Sequence, residues 1–371
     1  MNVSKYCADP QKQGTRGSDA DSDEGLRRKK KKGPSRVLTV SFLLIIVALV
    51  AIGVVVIVPM LNKSARHTAI IKVPRNATEK QVEDSVAKYL GSDYAEDLHQ
   101  AMIIAGGRSL MRHGAYKIEE GMTPMEGARV LTHGGQTGIR VTLQNERDKA
   151  SLARKFAAKL DVPADSLLAA LNDTEFLKKC DTDPDYVMII FLADTYEFYW
   201  TVSAQEIVRK MRNVYDSFWT PQRLERAEQL HLSPRQIAVL ASIVDEETNQ
   251  AAEKGTIGRL YINRLQKGMK LQADPTVKYA IGDFGIKRVT NEMTRYDSPF
   301  NTYMYEGLPP GPIRTTSAAT IDAILSSRPH DYLYMCAKED FSGSHNFAVT
   351  YEEHLQNARR YQAALDKAGI K

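Results

Sequence analysis

Residues 233–248 read SPRQIAVLASIVDEET, and this stretch decides how the second half of the chain is expected to fold. Ser233 followed by Pro234 is the pattern of a helix N-cap with proline in the first turn. Apolar residues then recur at helical spacing, and the run from Ala238 to Val244 is apolar on nearly all sides. The stretch therefore predicts a deeply buried helix.

Three consecutive acids, Asp245, Glu246 and Glu247, end this helix. At about 100° per residue, Glu246 points away from the apolar stripe, whereas Asp245 and Glu247 lie on its two flanks. A carboxyl that is partly withdrawn from water has a raised pKa, so it can protonate a leaving oxygen near neutral pH. The alternative is an ordinary solvated helix end. Periodicity does not separate Asp245 from Glu247 as the candidate acid.

Several short motifs follow the acids in order. A second amphipathic helix is expected, with Ile257, Leu260, Tyr261 and Leu265 on one face and its end near Gly268. The motifs are Asn263-Arg264-Leu265 within that helix, LQADPT at 271–276, NTY at 301–303, GLPPGPI at 307–313 and HNFAVTYEEH at 345–354. Each of them is weak evidence when taken alone. Together with IVDEET they make six motifs in one order.

This series resembles the YceG-like family of endolytic murein transglycosylases over residues 185–371. The segment Asp194–Phe198 is similar to the PDTYEF segment of the family, with Ala193 in place of its proline. Further upstream, residues 114–116 and 121–123 resemble the LysM-like subdomain of the family more faintly. The chain departs from the family at Arg314–Ser317, where an Asn-Pro-Gly-like stretch is usual.

The resemblance implies that Glu247 is the catalytic acid and base, because the second acid of the family's acid–any–Glu motif is the catalytic one. The first acid, usually Glu, is Asp245 here. The resemblance also implies substrate-binding or Glu247-orienting roles, against a purely structural one, for Gln272, Asp274, Thr276, Asn301 and Tyr303. His345 is a further substrate-binding candidate; alternatively, it braces the floor of the site together with His354. The nine-residue separation of these two histidines is not a metal-ligand spacing on a helix, so neither a metal nor a cofactor is expected.

The implied reaction is non-hydrolytic cleavage of the bond from N-acetylmuramic acid to N-acetylglucosamine, which leaves 1,6-anhydro ends and terminates or trims nascent strands. Two alternatives stay open. One is a hydrolytic muramidase in which Asp274 or Asp245 activates water, since ordinary glycosidases use two carboxyls. The other is a membrane-tethered glycan-binding scaffold for a synthase. The resemblance also implies that peptidoglycan synthases are partners.

Residues 37–58 form a run of 22 residues without a charge, long enough at about 1.5 Å per residue to cross a hydrocarbon core of about 30 Å. A cleaved signal peptide is the alternative, but its apolar region would be shorter. The basic cluster Arg27–Lys32 predicts that the N-terminus is cytoplasmic and that residues 59–371 lie outside the inner membrane.

The net charge of +5 comes entirely from residues 1–36, which hold ten Lys or Arg against five acids. A charge excess confined to a polar tail argues against a nucleic-acid partner. Cys180 and Cys336 would face an oxidising compartment, but nothing in the sequence predicts that they pair.

The expected fold class is α+β with one N-terminal transmembrane helix. Capping-box patterns begin at Thr78 and Thr123, and short apolar stretches suited to strands lie at 69–73, 115–118 and 139–143. The predicted parts are a disordered basic tail at 1–36, a transmembrane helix at 37–58, a small LysM-like module at 69–140, a connecting region at 141–184 and a mixed α/β catalytic domain at 185–371.

Overall fold

The computed structural model describes residues 36–104 and 112–369. The tail predicted at 1–36 lies outside these residues except for Arg36. The described residues divide into a smaller unit that ends at Ile57 and a larger unit that begins at Val58.

A single long apolar helix, α1 (Arg36–Asn62), contains the predicted transmembrane segment. Its most apolar 18-residue window has a mean hydropathy of 3.3, and none of that window is buried in protein. Within the described residues, α1 is the one helix that is long and apolar enough to cross a membrane. A core helix of a soluble protein would bury its apolar side chains, so the complete exposure of this window favours a membrane helix.

The first part of the larger unit is a strand pair with two helices between its strands. β1 (Ala69–Val73) pairs antiparallel with β2 (Gly114–Ile118), and α2 (Glu79–Leu90) and α3 (Ser92–Ile104) lie between them in the chain. α4 (Pro124–His133) follows. The capping boxes predicted at Thr78 and Thr123 are both confirmed, and each satisfies backbone N–H groups that the first helical turn leaves without partners.

A second antiparallel pair ties the middle of the chain together. β3 (Gly138–Thr142) pairs with β4 (Thr195–Tyr199). The helices between them are α5 (Lys149–Ala157), α6 (Ala164–Ala170) and α7 (Thr174–Lys178). The side chains of Leu152, Phe156 and Leu167 are fully buried and belong to the same core as Leu240. The region predicted as a connection is therefore packed into the main core.

The last part is mostly helical, with one hairpin. Its helices are α8 (Ala204–Phe218), α9 (Pro221–Gln229), α10 (Pro234–Glu247), α11 (Ala251–Gln266), α12 (Asp274–Ile281), α13 (Ala318–Leu325) and α14 (Tyr351–Ala368). β5 (Tyr334–Ala337) and β6 (His345–Ala348) form the antiparallel hairpin. Helix, strand and long irregular segments are thus mixed along the chain, as an α+β class predicts.

Helix α10 is the buried helix that the sequence predicted. Ser233 caps it through a capping box with Gln236, and every residue from Ile237 to Val244 is buried. The neighbouring α11 approaches α13 closely because it carries glycine at the contact. A Cβ at Gly258 would lie 2.6 Å from Cγ1 of Ile324, which is closer than packed atoms tolerate. The end of α10 lies against α11, where the hydroxyl of Tyr261 is 2.6 Å from Oε1 of Glu247.

Candidate active site

A cavity of about 400 Å³ opens where α10 ends. It is lined by Glu247 from α10, by Leu260, Tyr261 and Arg264 from α11, by Leu271, Gln272 and Asp274 at the start of α12, by Tyr303, by Met335, Cys336, Ala337 and His345 from the hairpin, and by His354 from α14. Five segments that are distant in sequence thus converge on the last residue of one buried helix.

The carboxyl of Glu247 is the group in this cavity best suited to exchange a proton. Its pKa is raised to about 7, chiefly by burial and to a smaller extent by the nearby negative charge of Asp274. A hydrogen bond from Tyr261, together with the positive charges of Lys278 and Arg264, acts in the opposite direction. A carboxyl with a pKa near 7 is protonated in a large fraction of molecules at neutral pH. It can therefore act first as an acid and afterwards as a base.

The side chain of Tyr261 holds Glu247 directly. Its hydroxyl donates a hydrogen bond to Oε1 of Glu247 at 2.6 Å, and its residue is only 2% exposed. Burial raises the pKa of Tyr261 well above its usual value, and the adjacent Glu247 carboxylate raises it further. The hydroxyl therefore stays protonated and acts as a donor.

Both carboxylate oxygens of Asp245 are already bound by other residues. Its Oδ1 lies 2.6 Å from Nζ of Lys254 and accepts a hydrogen bond from the hydroxyl of Thr320, also at 2.6 Å. Its Oδ2 accepts a hydrogen bond from the hydroxyl of Thr316 at 2.6 Å. Because both oxygens are engaged in this cluster and Asp245 does not line the cavity, it is poorly placed to activate a water molecule there.

Glu246 is likewise engaged, on another side of α10. Arg147 donates to both of its carboxylate oxygens, at 3.1 and 2.9 Å, and Arg314 donates to Oε1 at 2.8 Å. Arg314 and Thr316 belong to the stretch that departs from the family pattern. In this chain, that stretch forms the pockets that hold Glu246 and Asp245. The structure thus separates Asp245 from Glu247, which the helical periodicity could not do.

Four of the predicted binding residues line the cavity: Gln272, Asp274, Tyr303 and His345. The hydroxyl of Tyr303 donates to Oδ1 of Asp274 at 2.6 Å, so this second carboxyl is held in place. Gln272 has a φ of 51°, in the left-handed region, and its N–H donates to the carbonyl of Thr302 at 3.1 Å. Strained backbone of this kind is often found at functional sites.

Thr276 and Asn301 do not line the cavity, and the substrate-binding or Glu247-orienting role expected for them stays a prediction. Both are fully buried. The hydroxyl of Thr276 is hydrogen-bonded to the hydroxyl of Thr302 at 2.8 Å, and it donates to the carbonyl of Ala273 at 2.7 Å. Asn301 donates to the carbonyl of Tyr296 at 2.7 Å and accepts a hydrogen bond from the N–H of Tyr303 at 3.0 Å. Through these hydrogen bonds they support the segments that carry Gln272 and Tyr303.

The hairpin is fastened to α11 through His345. Oε1 of Glu253 accepts a hydrogen bond from the backbone N–H of His345, and its Oε2 lies 2.9 Å from Nδ1 of the same residue. His354 stacks on Tyr334 with ring centroids 5.5 Å apart, and its Nδ1 is buried without a partner among residues 36–104 and 112–369. Burial lowers the pKa of His354, and the charge of Arg264 lowers it further, which favours the neutral ring.

Among the cavity residues that were not predicted, Tyr261 and Arg264 form side-chain hydrogen bonds at the site. Tyr261 was assigned to the apolar stripe of α11, and its ring does lie in the core, but its hydroxyl reaches Glu247. Arg264 donates to the carbonyls of Leu333 at 2.6 Å and Leu271 at 2.7 Å, and so ties the segments before β5 and α12 to α11. The Asn-Arg-Leu motif was the only signal for Arg264. Nothing in the local sequence indicated the contact of Tyr261.

The two described cysteines are free. Cys180 is buried, whereas Cys336 lines the cavity. Burial raises the pKa of the Cys336 thiol, which keeps it neutral. Residues 36–104 and 112–369 contain no cluster of three or more His, Cys, Asp or Glu side chains that could hold a metal ion.

A cavity-lining carboxyl with a raised pKa, whose two neighbours on α10 are held in ion pairs, defines a site for general acid–base chemistry. The chain belongs to the YceG-like family, whose sequence model matches residues 71–360. That match includes every residue discussed above as part of the site.

The most informative relative is the endolytic murein transglycosylase of Bacillus subtilis (strain 168). It is 28% identical over 318 residues, which are 81% of this chain and 86% of the relative. The endolytic murein transglycosylase of Streptococcus pneumoniae (serotype 2, strain D39) is 26% identical over 171 residues, which are 45% of this chain and 31% of the relative. A crystal structure of a YceG-like protein from Listeria monocytogenes superposes with a TM-score of 0.53 at 23% identity, covering 78% of this chain and 98% of the other. This likeness shows a shared fold.

Proposed function

We propose that this protein is an endolytic lytic transglycosylase of peptidoglycan. The observation that carries the proposal is the environment of Glu247, a cavity-lining carboxyl whose pKa burial raises to about 7. The membership of the YceG-like family and the names of the Bacillus and Streptococcus relatives supply the substrate, the glycan strand of murein.

Glu247 acts twice in the proposed reaction. In its protonated form it gives its proton to the glycosidic oxygen as the bond from N-acetylmuramic acid to N-acetylglucosamine breaks through an oxocarbenium-like state. As a carboxylate it then takes the proton of the muramyl C6 hydroxyl while that oxygen attacks C1. The product carries a 1,6-anhydro ring, and Glu247 ends in the form in which it began.

The alternative is a hydrolytic muramidase, which needs a second carboxyl to activate water. Asp245 is a poor candidate, since both of its oxygens are engaged by Lys254, Thr316 and Thr320. Among the described residues, Asp274 is the only acid besides Glu247 that lines the cavity. It is therefore the one acid that could activate water in a muramidase. Glu247 alone suffices for the transglycosylase.

Mass spectrometry of peptidoglycan digested by the full-length protein separates the two reactions. The transglycosylase predicts products that end in 1,6-anhydro-N-acetylmuramic acid. Products with reducing ends and without the anhydro form would reject the proposal in favour of the muramidase. Absence of any cleavage, with binding to the glycan retained, would favour a membrane-tethered scaffold. A pure binding protein, however, has no need of a buried carboxyl with a raised pKa.

A LysM-like module at 69–140 is proposed to bind the glycan beside the catalytic part. The βααβ order of β1, α2, α3 and β2, with the two strands paired antiparallel, supports it. β3 begins at Gly138 and pairs with β4, so the module passes directly into the next part of the fold. Residues 141–184 are then a connection packed against the catalytic domain at 185–371.

The proposed location is the inner membrane, with a single span at 37–58, the N-terminus in the cytoplasm and the catalytic domain outside. The exposed apolar helix α1 and the basic cluster Arg27–Lys32 before it support this orientation. An enzyme so anchored would cut nascent strands close to the membrane, and it would terminate or trim them. Peptidoglycan synthases, which make these strands, are the partners that such a position suggests.

A further inference from the structure

The hydrogen bond between Tyr261 and Glu247 distinguishes the two oxygens of the carboxyl. The hydroxyl of Tyr261 donates to Oε1 at 2.6 Å. Among residues 36–104 and 112–369, it is the only side chain that forms a hydrogen bond with the Glu247 carboxyl. Because a phenol in this buried setting keeps its proton, Oε1 is always an acceptor. A proton on Glu247 is therefore carried by Oε2.

From this geometry we infer that Tyr261 is a positioning residue, which reserves Oε2 of Glu247 for exchange of the proton with the sugar. The inference rests on the proposed function and deepens it. The ring of Tyr261, on α11, is buried in the protein core. Its hydroxyl contacts Glu247, and both residues line the cavity. The hydrogen bond prevents the carboxyl from turning its protonated oxygen away from the substrate.

The same hydrogen bond strengthens as the reaction proceeds. In the first step the proton on Oε2 moves to the glycosidic oxygen, and the leaving sugar keeps the electron pair of the broken bond as its hydroxyl. Glu247 is then a carboxylate, and a hydrogen bond to a charged acceptor is stronger than one to a neutral carboxyl. In the second step Oε2 takes the C6 hydroxyl proton as the bond from O6 to C1 forms. Tyr261 therefore favours the charged form that Glu247 acquires during cleavage, which is how an interaction lowers a barrier.

A purely structural role for Tyr261 is the alternative, and Tyr261→Phe separates the two because it keeps the ring and removes only the hydroxyl. The matched control is Tyr196→Phe. Tyr196 is also buried, and its hydroxyl donates to the carbonyl of Leu192 at 2.8 Å, outside the cavity. Each variant loses one buried hydroxyl and one hydrogen bond.

The experiment measures kcat, KM and the pH profile of kcat for the full-length protein on isolated glycan strands. For Tyr261→Phe, kcat is expected to fall by about 10- to 100-fold with little change in KM, as loss of one hydrogen bond to a charged group implies. The alkaline limb of the profile should move to higher pH. In the parent the hydrogen bond from Tyr261 lowers the pKa of Glu247, and the variant lacks this hydrogen bond. Tyr196→Phe should leave both unchanged.

Fluorinated tyrosine at position 261 provides a second measurement that preserves the hydroxyl and the fold. A fluorinated phenol is a stronger donor, so the alkaline limb should move to lower pH. The inference is overturned if kcat and the limb of Tyr261→Phe match the parent, if the loss lies wholly in KM, or if Tyr196→Phe behaves identically. If the parent releases no anhydro ends, the proposed function itself fails. If it releases them and Tyr261→Phe acts like the parent, only the inference fails.

Discussion

Oδ1 of Asp245 lies 2.6 Å from Nζ of Lys254, and only 7% of the Asp245 side chain is exposed. The ion pair joins the last turn of α10 to the first turn of α11. It neutralises the negative charge of Asp245, which is only two residues before Glu247. Asp245 is therefore held in this ion pair, and Glu247 is the acid of the triplet that lines the cavity.

Removal of the Asp245 carboxylate should destabilise the protein. We expect Asp245→Ala to lower the free energy of unfolding by about 1–3 kcal/mol, because it leaves the partly buried ammonium of Lys254 without its counter-charge. Denaturant unfolding of the full-length protein in detergent measures the effect. The double variant Asp245→Ala/Lys254→Met should recover part of the loss. Equal stability of Asp245→Ala and the parent would show that the pair does not hold α10 to α11.

Replacement of Glu247 by glutamine should abolish the reaction and leave the fold intact. Glutamine keeps the shape of the side chain and cannot transfer a proton, so release of anhydro ends should fall by about 10²- to 10⁴-fold. The matched control is Glu225→Gln, at an exposed position of α9. Mass spectrometry of digested glycan provides the readout. Activity retained in Glu247→Gln would move the catalytic role to another residue.

The activity should fall as pH rises through about 7, because cleavage begins with protonated Glu247, whose pKa lies there. Asp274→Asn should move this alkaline limb to lower pH, since the negative charge of Asp274 raises the pKa of Glu247. The shift is opposite to the one expected for Tyr261→Phe. A pH–rate profile measures it, with anhydro ends still the product. Complete loss of turnover in Asp274→Asn would instead support water activation by Asp274.

The close contact of α11 with α13 should not tolerate a methyl group. We expect Gly258→Ala to cost about 1–3 kcal/mol in the free energy of unfolding, because the new Cβ would lie 2.6 Å from Cγ1 of Ile324. Gly135→Ala is the control, because nothing lies within 4 Å of a Cβ at that position, and its effect should stay within about 0.5 kcal/mol. Similar unfolding midpoints for the two variants would show that the helices can move apart at little cost.

Much of the local structure followed from the sequence. The caps at Thr78, Thr123 and Ser233, the buried face of α10 and the apolar length of α1 are encoded by neighbouring residues. Side-chain hydrogen bonds to nearby backbone groups and the periodicity of burial are local effects, so a pattern of a few residues predicts them. The motifs also indicated which segments would surround the cavity.

The roles of individual side chains in the site depended on tertiary structure. Asp245 and Glu247 flank the same stripe of one helix, and only the packing of α11, α13 and the 314–320 segment engages the first and leaves the second to the cavity. Contacts between the 273–276 and 296–303 segments bury Thr276 and Asn301, and the packing of α10 on α11 brings the hydroxyl of Tyr261 to Glu247. Contacts between residues far apart in the chain depend on how whole elements pack. Local periodicity carries no information about that arrangement.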